Sequence, residues 1–270
     1  MMRFGPQNFS TKAPHPCLDR LWCGRMVFGM KRILVMMAAM VLVGCGGAPA
    51  IVTVRDSNST KPLTMKEKAE AGDPQAQYSV GFEYEHGEKT EKDLKEAAKW
   101  YRKAAEQGNV DAQFYLGMMY EHGEGVPEDF KEAVKWFRKA AEQEHVGAQF
   151  NLGQMFRIGK GVLQDDKEAV KWHRKAADQG NVASQLNLGN MYAKGIGVSK
   201  DNREAVKWYR KSAELGGAEA QYNLGMMYFK GDSVERDLRE AREWMLKSAE
   251  QGNSSAKHFL KELSAIDADD

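Results

Sequence analysis

From residue 64 onward apolar positions recur with a helical rhythm, and the rhythm itself repeats. Ala76, Val80 and Tyr84 fall at i, i+4 and i+8, one stripe of a first helix. Ala97, Trp100, Tyr101, Ala104 and Ala105 fall at i, i+3, i+4, i+7 and i+8. They form the apolar face of a second helix, whose other side Lys99, Arg102 and Lys103 solvate. Gly108 ends the second helix and Asn109 opens the next unit. Trp100, Trp136, Trp172, Trp208 and Trp244 stand 36 residues apart, as do Gly81, Gly117, Gly153, Gly189 and Gly225. Self-similarity at this length predicts a solenoid, in which each unit buries its apolar face only by stacking on its neighbours. Alternating strand patterns are absent, so the expected class is all-α: an α/α solenoid of five helix–turn–helix repeats.

The expected repeats span about 74–109, 110–145, 146–181, 182–217 and 218–253, with half-repeat caps at 64–73 and 254–264. Residues 265–270 read as a disordered tail. A glycine inside a helix costs about 1 kcal/mol relative to alanine. Its recurrence at Gly81 and its equivalents argues that a neighbour approaches too closely for a Cβ, and the tryptophan or the small Ala97 position is the expected neighbour.

On a helical wheel, the arc opposite the first helix's core stripe holds Gln75, Tyr78, Phe82, Glu85 and His86. Its first column, Tyr78, Phe114, Phe150, Leu186 and Tyr222, suits helix packing as well as it suits a ligand. The second column, Phe82, Met118, Gln154, Asn190 and Met226, changes identity between units, as a surface that reads a partner does. These five residues are the candidate partner contacts, bordered by Glu85, Glu121 and Arg157. Alanine at Met118 and Asn190 is expected to weaken a partner without changing thermal stability. Met119, Met155, Met191 and Met227 lie toward the core stripe and read as gap-filling packing.

The stretch 112–144, "AQFYLGMMYEHGEGVPEDFKEAVKWFRKAAEQE", resembles the Sel-one-like repeat (SLR), a relative of the tetratricopeptide repeat with a longer inter-helix loop. It carries A-x-x-x-L-G-x-x-Y, then G-x-G-V, then D, then A-x-x-W-[YF]-x-K-A-A. The resemblance implies a right-handed superhelix acting in protein–protein contact, with the second column on its concave wall. Unit one departs with HGEKTEKD and unit five with G-D-S-V, both lacking the second loop glycine. Glu144 replaces the glycine that ends the second helix elsewhere, and Lys261 replaces the helix glycine in the last cap.

Ahead of the repeats, Met30-Lys31-Arg32 precedes the apolar run Ile33–Val43, too short to span a membrane. The ending Leu42-Val43-Gly44-Cys45 resembles a bacterial lipobox, which implies cleavage after a signal peptide at 30–44 and a lipid on Cys45. An ordinary signal peptide is the alternative. Residues 1–29 read as a miscalled start or a disordered extension, and 45–63 as the lipidated cysteine and its tether. Gly46 in place of an aspartate favours the outer membrane, facing the periplasm, if the cell is Gram-negative. Beyond Cys45 the chain carries no cysteine, so no disulfide or thiolate metal site is expected there.

The whole chain has 39 basic and 38 acidic residues, which gives no footprint for nucleic acid. A β-lactamase or penicillin-binding activity requires S-x-x-K together with S-D-N and K-T-G. Within the repeats S-x-x-K occurs at Ser254–Lys257, in the terminal cap, without the other two motifs. His86 and His122 share one repeat position, but isoleucine and lysine follow at 158 and 194, which argues against a metal site. No cofactor, metal or small-molecule substrate is expected. The reading is a non-enzymatic, lipid-anchored envelope scaffold that binds other envelope proteins or peptides; the alternatives are such a hydrolase and a secreted, unlipidated regulatory or virulence factor.

Overall fold

The computed structural model describes residues 62–87 and 90–269. The expectations for residues 1–61, Cys45 among them, lie outside these residues. Among the described residues there are twelve helices and no strand: α1 (Met65–Glu70), α2 (Pro74–His86), α3 (Leu94–Glu106), α4 (Val110–His122), α5 (Phe130–Glu142), α6 (Val146–Ile158), α7 (Asp166–Asp178), α8 (Val182–Lys194), α9 (Asn202–Glu214), α10 (Ala218–Lys230), α11 (Leu238–Glu250) and α12 (Ser254–Asp269). Each helix packs on the next, so α2/α3, α4/α5, α6/α7, α8/α9 and α10/α11 form five stacked hairpins, an α/α solenoid. The cap α1 is the expected half helix. The last helix, however, continues to Asp269, past the expected boundary at 264. Residues 265–269, AIDAD, contain no glycine or proline that would end it.

Local chemistry sets the boundaries. Asp93, Asp129, Asp165, Asp201 and Asp237 each cap a second helix, their Oδ1 accepting the N–H groups two and three residues on at 2.9–3.1 Å. The first helices end on Gly87, Gly123, Gly159, Gly195 and Gly231, all left-handed, and each glycine N–H reaches back to a carbonyl of the last turn.

Two departures from the repeat pattern land on this backbone. Glu144 has φ 67° where the equivalent glycines have φ 87–99°, and Ser233 has φ 63° in the loop position that Gly125, Gly161 and Gly197 fill elsewhere. A left-handed residue with a Cβ costs about 1–2 kcal/mol, partly offset by glycine's larger entropy loss on folding. Glu144→Gly is therefore expected to stabilise the chain by about 1 kcal/mol, read as a higher urea midpoint.

The neighbour of the helix glycines is neither the tryptophan nor, in the first four units, the alanine. A Cβ at Gly81, Gly117 or Gly189 would lie 2.8, 2.7 or 2.5 Å from the ring of Tyr101, Phe137 or Tyr209. At Gly153 it would lie 3.0 Å from His173, and at Gly225 it would meet Met245 at 3.0 Å and the Ala241 carbonyl at 3.1 Å. The residue after the tryptophan turns onto its own unit's first helix. The tryptophan instead bridges neighbouring units: Trp100 clusters with Ala69 of α1 as well as Ala76 and Val80, and Arg174 of α7 lies 5.8 Å over the ring of Trp208.

A second buried column went unread in the pattern. Gln77, Gln113, Gln149, Gln185 and Gln221 each donate a side-chain N–H at 3.1 Å to the last turn of the preceding second helix. Four of them also accept from Gln107, Gln143, Gln179 and Gln251 at 2.7–2.9 Å. At the fourth unit Leu215 stands where that donor should be, and the buried Oε1 of Gln185 has no partner. Satisfying a buried acceptor contributes about 1 kcal/mol or more. Leu215→Gln is expected to raise the denaturation midpoint by that amount, and Gln185→Leu in that background to lower it by more than in the parent.

Candidate functional site: the wall of first helices

The first column turns inward. Tyr78 lies 5.8 Å from Tyr101 and 5.9 Å from Tyr115, Phe114 5.9 Å from Phe137, and Phe150 5.8 Å from His173. Of the two readings of that column, the contacts favour packing. Met119, Met155 and Met191 are buried as expected, with Met227 half-buried.

The second column is half-buried throughout and partly engaged by the neighbouring repeat. Asn151, Asn187 and Asn223 reach back one unit, donating Nδ2–H to Met118 sulfur at 3.2 Å, Gln154 Oε1 at 3.4 Å and Asn190 Oδ1 at 3.4 Å. Phe82 stacks on His86 at 3.9 Å and meets the edge of Tyr115 at 6.5 Å. Met226 packs against the cluster of Met245, Ala249 and Ala256. Asn190 Oδ1 also accepts the Tyr209 hydroxyl at 2.8 Å. This corrects the expectation that alanine at Asn190 leaves stability unchanged, because it would strand a phenol whose pKa burial pushes up to about 12. The three-asparagine column was missed, although its 36-residue spacing is plain in the sequence.

The bordering charges are also engaged. Glu85 accepts the Tyr101 hydroxyl; burial first, and then this carboxylate, hold that phenol far above its usual range. Glu121 pairs with Lys160 of the next unit at 3.3 Å, and Arg157 Nε donates to Gln154 at 3.2 Å. The structure thus brings the predicted contact residues and their borders together on one wall.

The Nδ1 atoms of His86 and His122 lie 3.0 and 2.9 Å from carbonyls of their own helices. Among the described residues there is no group of three or more His, Cys, Asp or Glu able to hold a metal ion. Ser254 and Lys257 are exposed on the first turn of α12. No helix among the described residues is long and apolar enough to cross a membrane.

Residues 74–109, 110–145, 146–181, 182–217 and 218–253 each match the Sel1 repeat. The SLR-fold protein c5321, a protective antigen of uropathogenic Escherichia coli strains, is 41% identical with a TM-score of 0.72 over 75% of this chain. The match covers 44% of c5321, so the chain spans less than half of that relative's length. A Sel1 repeat protein from Oxalobacter formigenes is 40% identical with a TM-score of 0.65, covering 72% of this chain and 76% of the other. Among curated proteins none matches the chain. Sel1-repeat proteins are generally protein–protein interaction scaffolds, typically without catalysis of their own. With five tandem copies filling residues 74–253, this chain belongs to the Sel1-repeat family.

Proposed function

We propose that this chain is an adaptor that holds a segment of another protein along its wall of first helices, and that a lipid on Cys45 anchors it at the bacterial envelope, on the outer membrane facing the periplasm. One observation carries the binding reading: Phe82, Met118, Gln154, Asn190 and Met226 change identity from unit to unit, in size and in polarity, and stay half-exposed. A column that both varies and reaches solvent is what a surface matched to a partner needs, and Met and aromatic side chains there offer adaptable apolar contact. The lipobox-like ending at Cys45 supports the anchor, and the likeness to a protective antigen supports export.

A photo-crosslinking residue at Met118 or Gln154 should capture a partner, and one at Lys135 on the outer helices should not. Capture from Lys135 alone would move the site to the opposite face. Replacing Cys45 by alanine should abolish palmitate incorporation and leave an unprocessed precursor; equal labelling of the mutant would sink the anchor.

A further inference from the structure

The variable wall is not electrically uniform along the solenoid. Residues 145–164 and 181–200, the first helix and loop of units three and four, contain no aspartate or glutamate; they carry Arg157, Lys160, Lys194 and Lys200. The aligned stretch of unit two, 109–128, has the reverse character, with Asp111, Glu121, Glu124 and Glu128 and no lysine or arginine. The cationic stretch also holds exposed apolar side chains. Leu163 is 91% exposed and Ile158 is 54% exposed, in columns that are polar or proline in the other units.

The fold gathers these residues on one edge. Arg157 and Ile158 end α6, Lys194 ends α8 one unit on, and Lys160, Leu163 and Lys200 lie in the loops that follow. The second loop seats against the end of the first: a Cβ at Gly197 would lie 2.2 Å from the carbonyl oxygen of Asp166, the residue that closes the Leu163 loop. Lys160 is paired with Glu121, but Arg157, Lys194 and Lys200 meet no carboxylate among the described residues. Three carboxylates border the edge without pairing these cations: Asp165 and Asp201 each accept two backbone N–H groups at a helix start, and Asp166 accepts from Gln164.

We infer that this edge of repeats three and four docks an acidic protein segment that carries an apolar anchor side chain. The inference rests on the binding role proposed above and assigns it a partner chemistry. Unpaired cations on one edge attract carboxylates and accelerate their encounter. Leu163, and the exposed half of Ile158, offer apolar area that the fold leaves in water, and covering it is the affinity term the cations lack.

The test is selection of a displayed random-peptide library on the full chain. Binders should be rich in Asp and Glu around an aliphatic or aromatic residue. Leu163→Ser, and separately Lys194→Glu with Lys200→Glu, should each weaken the selected peptides about tenfold or more. The control Lys95→Glu with Lys131→Glu, on the outer helices, should not. These side chains are exposed, so the variants should melt like the parent. Binders rich in Lys and Arg, or acidic binders indifferent to both edge variants, would overturn the inference. Peptides that lose binding with Met118→Ala and Gln154→Ala, but not with Leu163→Ser, would defeat the edge and leave the wall intact. A library with no binder at all would defeat both.

Discussion

Replacing Trp172 by alanine is expected to destabilise the solenoid by about 3–5 kcal/mol, and the loss should not stay in its own repeat. Trp172 is 6% exposed in the middle unit, within the cluster that joins Trp136, Leu152, Leu188 and Trp208, and Lys175 covers its ring at 4.3 Å. Its indole N–H is buried without a partner, so its removal returns a little of the loss and places the result toward the lower end of that range. Stability in such an array is a sum of unit and nearest-neighbour terms, so hydrogen exchange should accelerate in units two to four together. Trp244→Ala should cost less: that ring is half-buried, its N–H bonds Glu240 at 3.0 Å, and among the described residues the single helix α12 packs beyond its hairpin. Equal losses at the two sites, or exchange unchanged outside unit three, would mean that the tryptophans are not what couples the repeats.

The stability of the chain should also fall as the medium is acidified from about pH 6.5 toward pH 4, and His173 should be the main cause. It fills the column held by Tyr101, Phe137 and Tyr209, fully buried, with Nε2 unpartnered and Nδ1 3.5 Å from Ser184 Oγ. Burial, then the nearby Arg157 charge, lower its pKa from 6.5 to about 4. The folded state therefore holds the neutral ring more strongly than the unfolded chain does. That contribution is complete above pH 6.5 and is lost as pH falls through the folded value, about 3 kcal/mol in all. His145 adds to the same slope. Its Nδ1 caps α6 by accepting the Ala148 N–H at 3.1 Å, and burial outweighs the nearby Asp111 in lowering its pKa. His173→Phe, which copies Phe137 of the preceding unit, should raise the urea midpoint and flatten its pH dependence, leaving the slope due to His145. A variant with the parent's full slope would exonerate His173.

Much of the architecture was legible in the residues because a solenoid's contacts are local and recur. Tryptophan and glycine at a constant spacing marked the units, and Gly108 with Asn109 marked the joint between the first unit and the next. The strained corner at Glu144 was legible too, since a side chain stood where every neighbouring unit had glycine. The candidate wall was only half legible. A helical wheel assigns a direction to each side chain but not the distance to the next helix, so it identified the second column without showing that Asn151, Asn187 and Asn223 already bond to it.

The sequence by itself determined the class, the number of units and where each begins, because each depends on spacing along one chain. The tertiary structure alone decided what fills the space beside each helix glycine: Trp100 and Tyr101 differ by one position on the wheel, yet the ring against Gly81 is that of Tyr101. It also decided which polar groups are left over. Gln185 lacks a partner because of Leu215, thirty residues away, and His173 is pressed toward neutrality by burial that no single-helix pattern reports. A period measures recurrence along the chain; satisfaction and solvation depend on what another segment places a few ångströms away.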